Sequence, residues 1–476
     1  MDGEKKNAVV LSILISLFLS GSVCFSSHLQ HEQTFFPTSL PKPQTLSSWP
    51  TQLDYDPETV SGSNSNILSM DLLPAYILYS SASSDDLTAE SLFNLRLQRD
   101  SLRVEALSAA ANGSFSSHLV SGLQFGSGEY FARLGVGTPP TNVYMILDTG
   151  SDVVWLQCSP CKKCFNQSDP IFSPNNSTSF TSVDCGDRRC QKLDNYRCGG
   201  QGKTCLYNET YGDGSFASGK LSTETLTFGR TKLSNVALGC GDDNEGHFAG
   251  AAGLLGLGRG ELSFPNQIPD RFTRKFSYCL KDLFSSSSSS KRSSILFGDS
   301  AVSRNTTFTP MVTNSVSYMS TFYYVGLEGI SVGGDRVQIS ESVFKLQANG
   351  SGGVLIDSGT SVTRLATPAY NATRDAFRKA SSNLTLLSEG VSLFDTCFDF
   401  SGMTAVTVPT VDLHFTNLNV SLPFSNFLVP VYIAGTYCFA FAAEEGFSII
   451  GNIQQQGFRV AYDLEAERVG FAPDSC

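Results

Sequence analysis

The chain has 476 residues and a formal net charge of −11, which is room for about two to three ordinary domains. A hydrophobic fraction of 41% beside 16% charged residues suits a protein that buries a sizeable core, and the acidic balance disfavours a nucleic-acid binder reading bare phosphates. Forty-two glycines and 34 phenylalanines point to strands and turns rather than long charged helices. At the N-terminus, Lys5 and Lys6 precede an apolar run from Ala8 to Leu19, followed by Ser20, Gly21 and Ser22. That order matches a secretory leader over residues 1–25, and the run is too short to span a bilayer comfortably. Phe25 to Ser65 is rich in Ser, Pro, Thr and Gln without periodicity, so poor order is expected there. Leu87 to Ala111 is dominated by helix formers and carries Arg96, Arg99 and Arg103. It reads either as a solvated helix or as a basic segment covering an acidic cleft.

From Gly126 onward, short apolar or alternating runs punctuated by glycine predict strands at Tyr130–Val136, Val143–Leu147, Val236–Leu238, Phe322–Leu327, Val354–Ile356 and Ser448–Ile450. The best helical stretch in this body is Thr367–Lys379. The serine run Ser285–Ser290, with Lys291 and Arg292 after it, reads as an exposed loop. Setting Cys24 aside with the leader leaves twelve of the 13 cysteines, an even number that suits an oxidising compartment. Ten Asn-x-Ser/Thr sequons, at Asn112, Asn166, Asn175, Asn176, Asn208, Asn305, Asn349, Asn371, Asn383 and Asn419, fit a glycosylated surface.

An internal repeat organises the body. Val143-Tyr-Met-Ile-Leu-Asp148-Thr149-Gly150-Ser151-Asp-Val-Val-Trp155-Leu resembles Gly353-Val-Leu-Ile-Asp357-Ser358-Gly359-Thr360-Ser-Val-Thr-Arg-Leu365. Each copy is a buried-looking strand followed by Asp, a hydroxyl residue, Gly and another hydroxyl residue. Downstream lies a second echo, Leu254-Leu-Gly256 after the first copy and Ile449-Ile-Gly451 after the second. Two related, all-β lobes follow from this.

A carboxylate at the end of an apolar strand is costly unless paired or hydrogen-bonded. Brought together across a pseudo-two-fold axis, Asp148 and Asp357 cannot both ionise cheaply, so one retains a proton. The ionised partner then draws a proton from water while the protonated one donates to a carbonyl oxygen, which is hydrolysis of an amide without histidine, metal or cofactor. Such a pair titrates as a unit and works at acidic pH. Thr149 and Ser358 are placed to brace the loops, Gly150 and Gly359 to bring amides near the carboxylates, and Ser151 and Thr360 to hydrogen-bond the outer oxygens. Asp152 adds a further carboxylate near the cleft. The chain holds no Gly-x-Ser-x-Gly elbow, His-Glu-x-x-His or phosphate loop.

These two Asp-Thr/Ser-Gly loops and two hydrophobic-hydrophobic-Gly echoes resemble the pepsin-like aspartic endopeptidases over roughly Gly126 to Cys476. Tyr211-Gly212-Asp-Gly-Ser215, the seven cysteines between Cys158 and Cys205, and Asp-Ser-Gly at the second site are closest to the plant atypical branch, the nepenthesin- and nucellin-like proteases. The resemblance implies a bilobal double β-barrel with few short helices and a disulfide-rich insertion in the N-terminal lobe. It further implies a propeptide over 26–119, an N-terminal lobe over 120–305, a C-terminal lobe over 306–476, and maturation between Ala111 and Gly128. Tyr211 and Gly212 would form the flap, with Trp155 as hydrogen-bonding partner. Spacing leaves the disulfide connectivity open; the resemblance implies Cys158–Cys161, Cys164–Cys240, Cys185–Cys205, Cys190–Cys198, Cys279–Cys476 and Cys397–Cys438. A zinc site is the rival reading for Cys161 and Cys164.

The expected function is a secreted aspartic endopeptidase made as a zymogen, monomeric, acting on protein or peptide substrates, with neither nucleic-acid partner nor stable membrane span. The apoplast is the expected destination and the vacuole its alternative. A catalytically inactive relative, inhibiting a hydrolase or binding in the cell wall, is the competing reading.

Overall fold

The computed structural model describes residues 31–37, 68–74, 89–111, 130–210, 215–246, 248, 250–281, 293–316 and 319–473. The body is built from short strands with few helices, and five of the six strand predictions fall on single elements; Phe322–Leu327 instead divides at Gly326 into strands Tyr323–Val325 and Leu327–Val332, which pair in different sheets. Tyr130–Val136, Val354–Ile356 and Ser448–Ile450 are strands with those bounds. Val143–Leu147 lies within strand Thr141–Asp148, Val236–Leu238 lies within Thr231–Glu245, and the best helical stretch is helix Thr367–Ala380.

The repeated sequence gives repeated topology. Strand Thr141–Asp148 runs antiparallel to Tyr130–Val136 and parallel to Gly253–Gly256, with Gly256 opposite Asp148. Its counterpart Val354–Ile356 runs antiparallel to Tyr323–Val325 and parallel to Ser448–Ile450, with Ile450 opposite Ile356. In both lobes the hydrophobic-hydrophobic-Gly echo is thus the parallel neighbour of the aspartate strand, buried on all sides, which is why it reads as an unbroken apolar run. Both echo glycines are sterically required. A Cβ on Gly256 would lie 2.5 Å from the Asp152 carbonyl oxygen, and one on Gly451 would lie 2.6 Å from that of Ser361.

A continuous sheet joins the lobes. Strand Lys275–Cys279 pairs with Ser293–Phe297 on one side and with Arg459–Asp463, from the far end of the chain, on the other. Phe276 stacks on Tyr462 at 4.5 Å between ring centroids, and Tyr323 meets the same ring edge-on at 4.5 Å.

The segments ahead of the body are tied into it. Leu68–Pro74 is a strand inserted between Ser293–Phe297 and Tyr130–Val136. Glu32–Phe35, inside the stretch expected to lack order, is a strand on the edge of Val406–Pro409. The physical reason is Phe35, which stacks on Phe424 at 4.1 Å and is buried, supplying an apolar anchor that composition averages away. The remainder of that stretch lies outside the described residues.

In the cysteine-rich insertion the connectivity differs from the expectation. Cys158 bonds Cys240, not Cys161; Cys164 bonds Cys161, not Cys240. Cys185 bonds Cys198, not Cys205; Cys190 bonds Cys205, not Cys198. Strand pairing decides the first two. Trp155–Gln157 runs parallel to Thr231–Glu245, and the Cys158 amide donates to the Gly241 carbonyl at 2.8 Å, which leaves Cys158 beside Cys240. Cys161 and Cys164 then close a tight loop on each other, so their sulfurs are not available as zinc ligands. Burial decides the second two: Cys190 and Cys205 are both fully buried, whereas Cys198 lies exposed on the outer hairpin strand, where it takes Cys185. Cys397 is bonded to Cys438 across paired strands. Cys279 is disulfide-bonded, and its expected partner Cys476 lies outside the described residues.

The Cys158–Cys240 bridge closes a separation of 82 residues, for which loop-closure entropy gives about 4 kcal/mol. The double substitution Cys158→Ser, Cys240→Ser is expected to lower unfolding free energy by about that amount in a denaturant titration. Peptide mapping without reduction should recover the Cys190–Cys205 link; recovery of Cys190–Cys198 would contradict the fold.

Candidate active site

Both aspartates stand at the ends of central strands, where the chain leaves an apolar sheet and turns. Asp148 is fully buried and Asp357 nearly so. Each carboxylate accepts from the amide two residues on, Gly150 to Asp148 Oδ1 at 3.0 Å and Gly359 to Asp357 Oδ1 at 3.1 Å. The Thr360 hydroxyl donates to Asp357 Oδ2 at 2.6 Å. Its counterpart Ser151 does not match it: the Ser151 hydroxyl is buried without a hydrogen-bond partner. That residue is held instead through its carbonyl, which accepts from Gly258 at 2.8 Å.

The two loops grip one another through their hydroxyl residues. The Ser358 amide donates to Thr149 Oγ1 at 3.0 Å, the two hydroxyls lie 3.2 Å apart, and Thr149 Oγ1 also donates to Asp357 Oδ1 at 3.3 Å. A brace made of paired polar groups in a water-poor interior fixes register better than apolar contact, because any slip leaves donors unmatched.

Sequence reasoning missed the support beneath the second loop. Residues Asn452–Gln455 form a buried helical turn directly after the Ile-Ile-Gly echo. Asn452 Nδ2 donates to the Ser358 carbonyl at 2.9 Å, and Gln455 Nε2 donates to those of Asp357 and Ile450 at 3.2 and 2.8 Å. Tyr278 in turn donates to Gln455 Oε1 and lies 2.8 Å from the Tyr462 hydroxyl. The available signal was the amide-rich run Asn452-Ile-Gln-Gln-Gln456 beside an apolar strand.

Helix Ala89–Ala111 lies across this centre and delivers Arg103 into it. Arg103 Nη2 reaches Asp148 Oδ1 at 3.1 Å and Asp357 Oδ1 at 2.6 Å, while Nε donates to Asp357 Oδ2 at 2.6 Å. One nitrogen is therefore shared by the two aspartates, which places both in a single cavity. Burial by itself would raise the Asp357 carboxyl, but the charge and hydrogen bonds of Arg103 outweigh it and hold the group below the usual carboxylate range. Gly359 makes room: a Cβ there would lie 2.4 Å from the guanidinium carbon. Of the three arginines expected to act together, Arg103 makes this contact; Arg96 lies half-buried nearly two turns earlier, and the Arg99 side chain lies outside the described residues.

Trp155 is fully buried and meets Phe248 edge-on at 5.1 Å and Phe165 at 6.4 Å. Tyr211 and Gly212, expected to form the flap, lie outside the described residues. Asp152 does not line the cleft as a free carboxylate. It accepts from Thr321 Oγ1 at 2.7 Å and from the Gly260 amide at 2.8 Å, tying the loop after Asp148 to two neighbouring loops. Burial pushes its carboxyl up to about 6, and burial together with the charges of Asp194 and Asp152 pushes Glu209 up to about 8. A carboxyl whose folded value is raised is a burden when ionised. Its effect on stability is absent below the unfolded value and grows as pH rises towards the folded one. The protein is accordingly expected to be more stable near pH 4 than near pH 8. Asp152→Asn should raise stability at pH 7.5 by up to about 3 kcal/mol and leave it nearly unchanged at pH 4, as read by thermal melts.

Among the described residues, no helix is long and apolar enough to cross a membrane. Two family models match the chain, described as Xylanase inhibitor N-terminal over residues 130–299 and Xylanase inhibitor C-terminal over residues 322–473. Aspartyl protease family protein 2 of Arabidopsis thaliana is 57% identical over 410 residues, covering 83% of this chain and 83% of its own. Aspartic proteinase nepenthesin-1 of Nepenthes gracilis is 40% identical over 400 residues, covering 83% of this chain and 88% of its own. Among solved structures, the one titled "Crystal structure of edgp" superposes with a TM-score of 0.60 at 23% identity, covering 72% of this chain and 91% of that one. At that identity the likeness is one of fold.

Proposed function

Because this chain belongs to the plant atypical aspartic proteases, we propose that it is a secreted aspartic endopeptidase held inactive as a zymogen and switched on by acid. The observation that carries this reading is the Arg103 guanidinium, seated on both aspartates at once. While the helix is docked, both carboxylates hydrogen-bond one guanidinium and its side chain lies between them, so neither water nor a peptide carbonyl can enter. With the cation withdrawn, two carboxyls face each other without a countercharge and one retains a proton well above the usual range. The ionised partner then takes a proton from a water held between them, and the protonated one donates to the carbonyl oxygen of a peptide lying in the cleft. On collapse the C–N bond breaks, and the carboxyl that took the water's proton gives it to the departing amine. A hydroxyl of the tetrahedral carbon returns its proton to the other aspartate as the carbonyl re-forms. The Thr149–Ser358 grip and the Gln455 support keep the two carboxyls in register throughout.

The direction of the pH switch follows from the lowered Asp357 carboxyl. A group depressed by a partner stabilises the docked state at all pH above its undocked value and loses that contribution as pH falls through the docked one. Acid therefore weakens the plug. Secretion is supported by the leader-like N-terminus, by the disulfide-rich insertion, and by the sequons. All nine sequon asparagines among the described residues, Asn166, Asn175, Asn176, Asn208, Asn305, Asn349, Asn371, Asn383 and Asn419, are exposed. An inhibitor-like role, suggested by the wording of the family models, requires no aspartate pair, whereas this chain keeps both in reach of one nitrogen.

The test is expression of the full chain in a secretory host, followed by acidification to about pH 4, where a coupled pair holds one proton. A shift to lower mass and cleavage of a protein substrate are expected. Asp148→Asn should reduce turnover by at least about 10²-fold, and activity surviving that change would overturn the mechanism. Removing one partner of a buried ion pair costs about 3–5 kcal/mol. Arg103→Gln should therefore speed release at pH 6 by about 100-fold or more, seen in the time course of the mass shift.

A further inference from the structure

The plug helix carries a second charged group into the cleft wall, one helical turn before Arg103. Asp100 is fully buried, and all of its described contacts are with the C-terminal lobe just beyond the second catalytic loop. Its Oδ1 accepts from the amides of Ser361 at 2.5 Å and Val362 at 3.1 Å, and its Oδ2 accepts from Arg364 Nη2 at 2.6 Å. Two converging backbone amides and a guanidinium around one carboxylate form a complete anion site.

The ownership of these groups matters. The donors all belong to the body, on the stretch running from Thr360 into strand Thr363–Ala366, and they remain when residues 89–111 leave. Arg364 is 6% exposed, and its described partners, Asp100 and Ser101 Oγ at 3.4 Å, are both on the helix. Its Nε is buried with no hydrogen-bond partner even in the plugged state. Departure of the helix thus uncovers this guanidinium and removes its counter-ion among the described residues, an arrangement that favours capture of another carboxylate. The neighbouring wall is apolar: Leu97 of the helix packs with Val362, Val391, Phe394 and Val429.

We infer that in the mature enzyme Arg364, with the Ser361 and Val362 amides, forms a substrate subsite that reads an acidic side chain. The helix occupies it in advance with Asp100. Because Asp100 and Arg103 are three residues apart on a helix, this subsite lies about 5 Å along the cleft from the aspartate pair, flanked by a surface for an apolar residue. The ligand is a peptide bearing Asp or Glu at one position to the side of the scissile bond. The inference rests on the zymogen reading above and deepens it into selectivity.

The test uses the full chain matured at acid pH and a peptide set in which Asp, Asn or Lys is walked through the positions flanking the cleaved bond. At one position the wild-type enzyme should cleave in the order Asp, then Asn, then Lys, with kcat/KM for Asp about tenfold above Asn, the scale of one charge-assisted hydrogen bond. In Arg364→Gln the Asp-to-Asn ratio at that position should fall to about one, and in Arg364→Glu the Lys peptide should become the better substrate. The wild-type ranking stands alone if a variant does not fold. Absence of any Asp-preferring position, or a preference that persists in Arg364→Gln, would overturn the subsite. Binding of a labelled peptide spanning residues 89–111 reads the pocket without catalysis. Asp100→Asn in that peptide should weaken it about tenfold, and equal binding would also overturn the subsite. Failure to cleave any peptide, with the binding difference intact, would instead count against the hydrolase reading alone.

Discussion

Two carboxylates buried within reach of a single guanidinium nitrogen set the terms for the rest of this protein. In an interior of low dielectric, charge balance is enforced at the level of individual atoms, and a misplaced or unpaired group costs several kcal/mol. The surrounding structure is organised to hold that pair in one geometry. Each aspartate ends a strand that is paired on both sides, one neighbour antiparallel and the other the parallel Leu-Leu-Gly or Ile-Ile-Gly echo. The loops then clasp through Thr149 and Ser358, and amides from Asn452 and Gln455 hold the second loop from below. Symmetry ends there. Thr360 bonds its aspartate whereas Ser151 does not, and the first loop is tied through Asp152 to Thr321 and Gly260. Inequivalent surroundings are what allow two identical side chains to take different protonation states.

The segments preceding the body engage both lobes and the sheet between them. One strand sits on the C-terminal lobe, a second is inserted in the central sheet, and the helix fills the cleft. Their holds differ in kind. The strands rest on backbone ladders and apolar burial through Phe35, Leu68, Met70 and Leu72, which are indifferent to pH. The helix rests on Arg103 and Asp100, with Val104 and Leu107 packed against Met319, Phe322 and Phe447. On the zymogen reading proposed above, acid acts on the Arg103–Asp357 pair, so the helix is the portion that yields while the strands persist. A lid that blocks by ion pairing and a cleft that binds peptides by the same groups are two uses of one surface. This is why the contacts of the helix are informative about what the cleft accepts.

Two carboxyls outside the aspartate pair weight the stability of the fold towards acid. The carboxyls of Asp152 and Glu209 are raised by burial, so neutral pH charges groups that the fold would rather keep protonated. In the proposed acid switch, the direction of pH that releases Arg103 also relieves this burden.

The amino-acid sequence by itself determined what depends on local pattern. Apolar runs ending in Asp-Thr-Gly and Asp-Ser-Gly, each echoed downstream, were enough to single out the two aspartates that meet, the two-lobe architecture and most strand positions, because burial forces hydrophobic runs and their recurrence marks equivalent places in a repeated fold. The helix Ala89–Ala111 and its arginines were legible from helix-forming composition. Tertiary structure alone decided matters that turn on which distant groups meet. The cysteine pairs were chosen by the register of Trp155–Gln157 against Thr231–Glu245 and by the burial of Cys190 and Cys205. That Arg103 bridges both aspartates, that Asp100 meets Arg364, and that Asn452 and Gln455 carry the second loop are contacts bridging long stretches of chain, or amides whose identity says nothing of direction. Spacing along a chain constrains neighbours on one element; it does not say which partner a long side chain reaches across a cleft, since that is settled by the packing of every element between them.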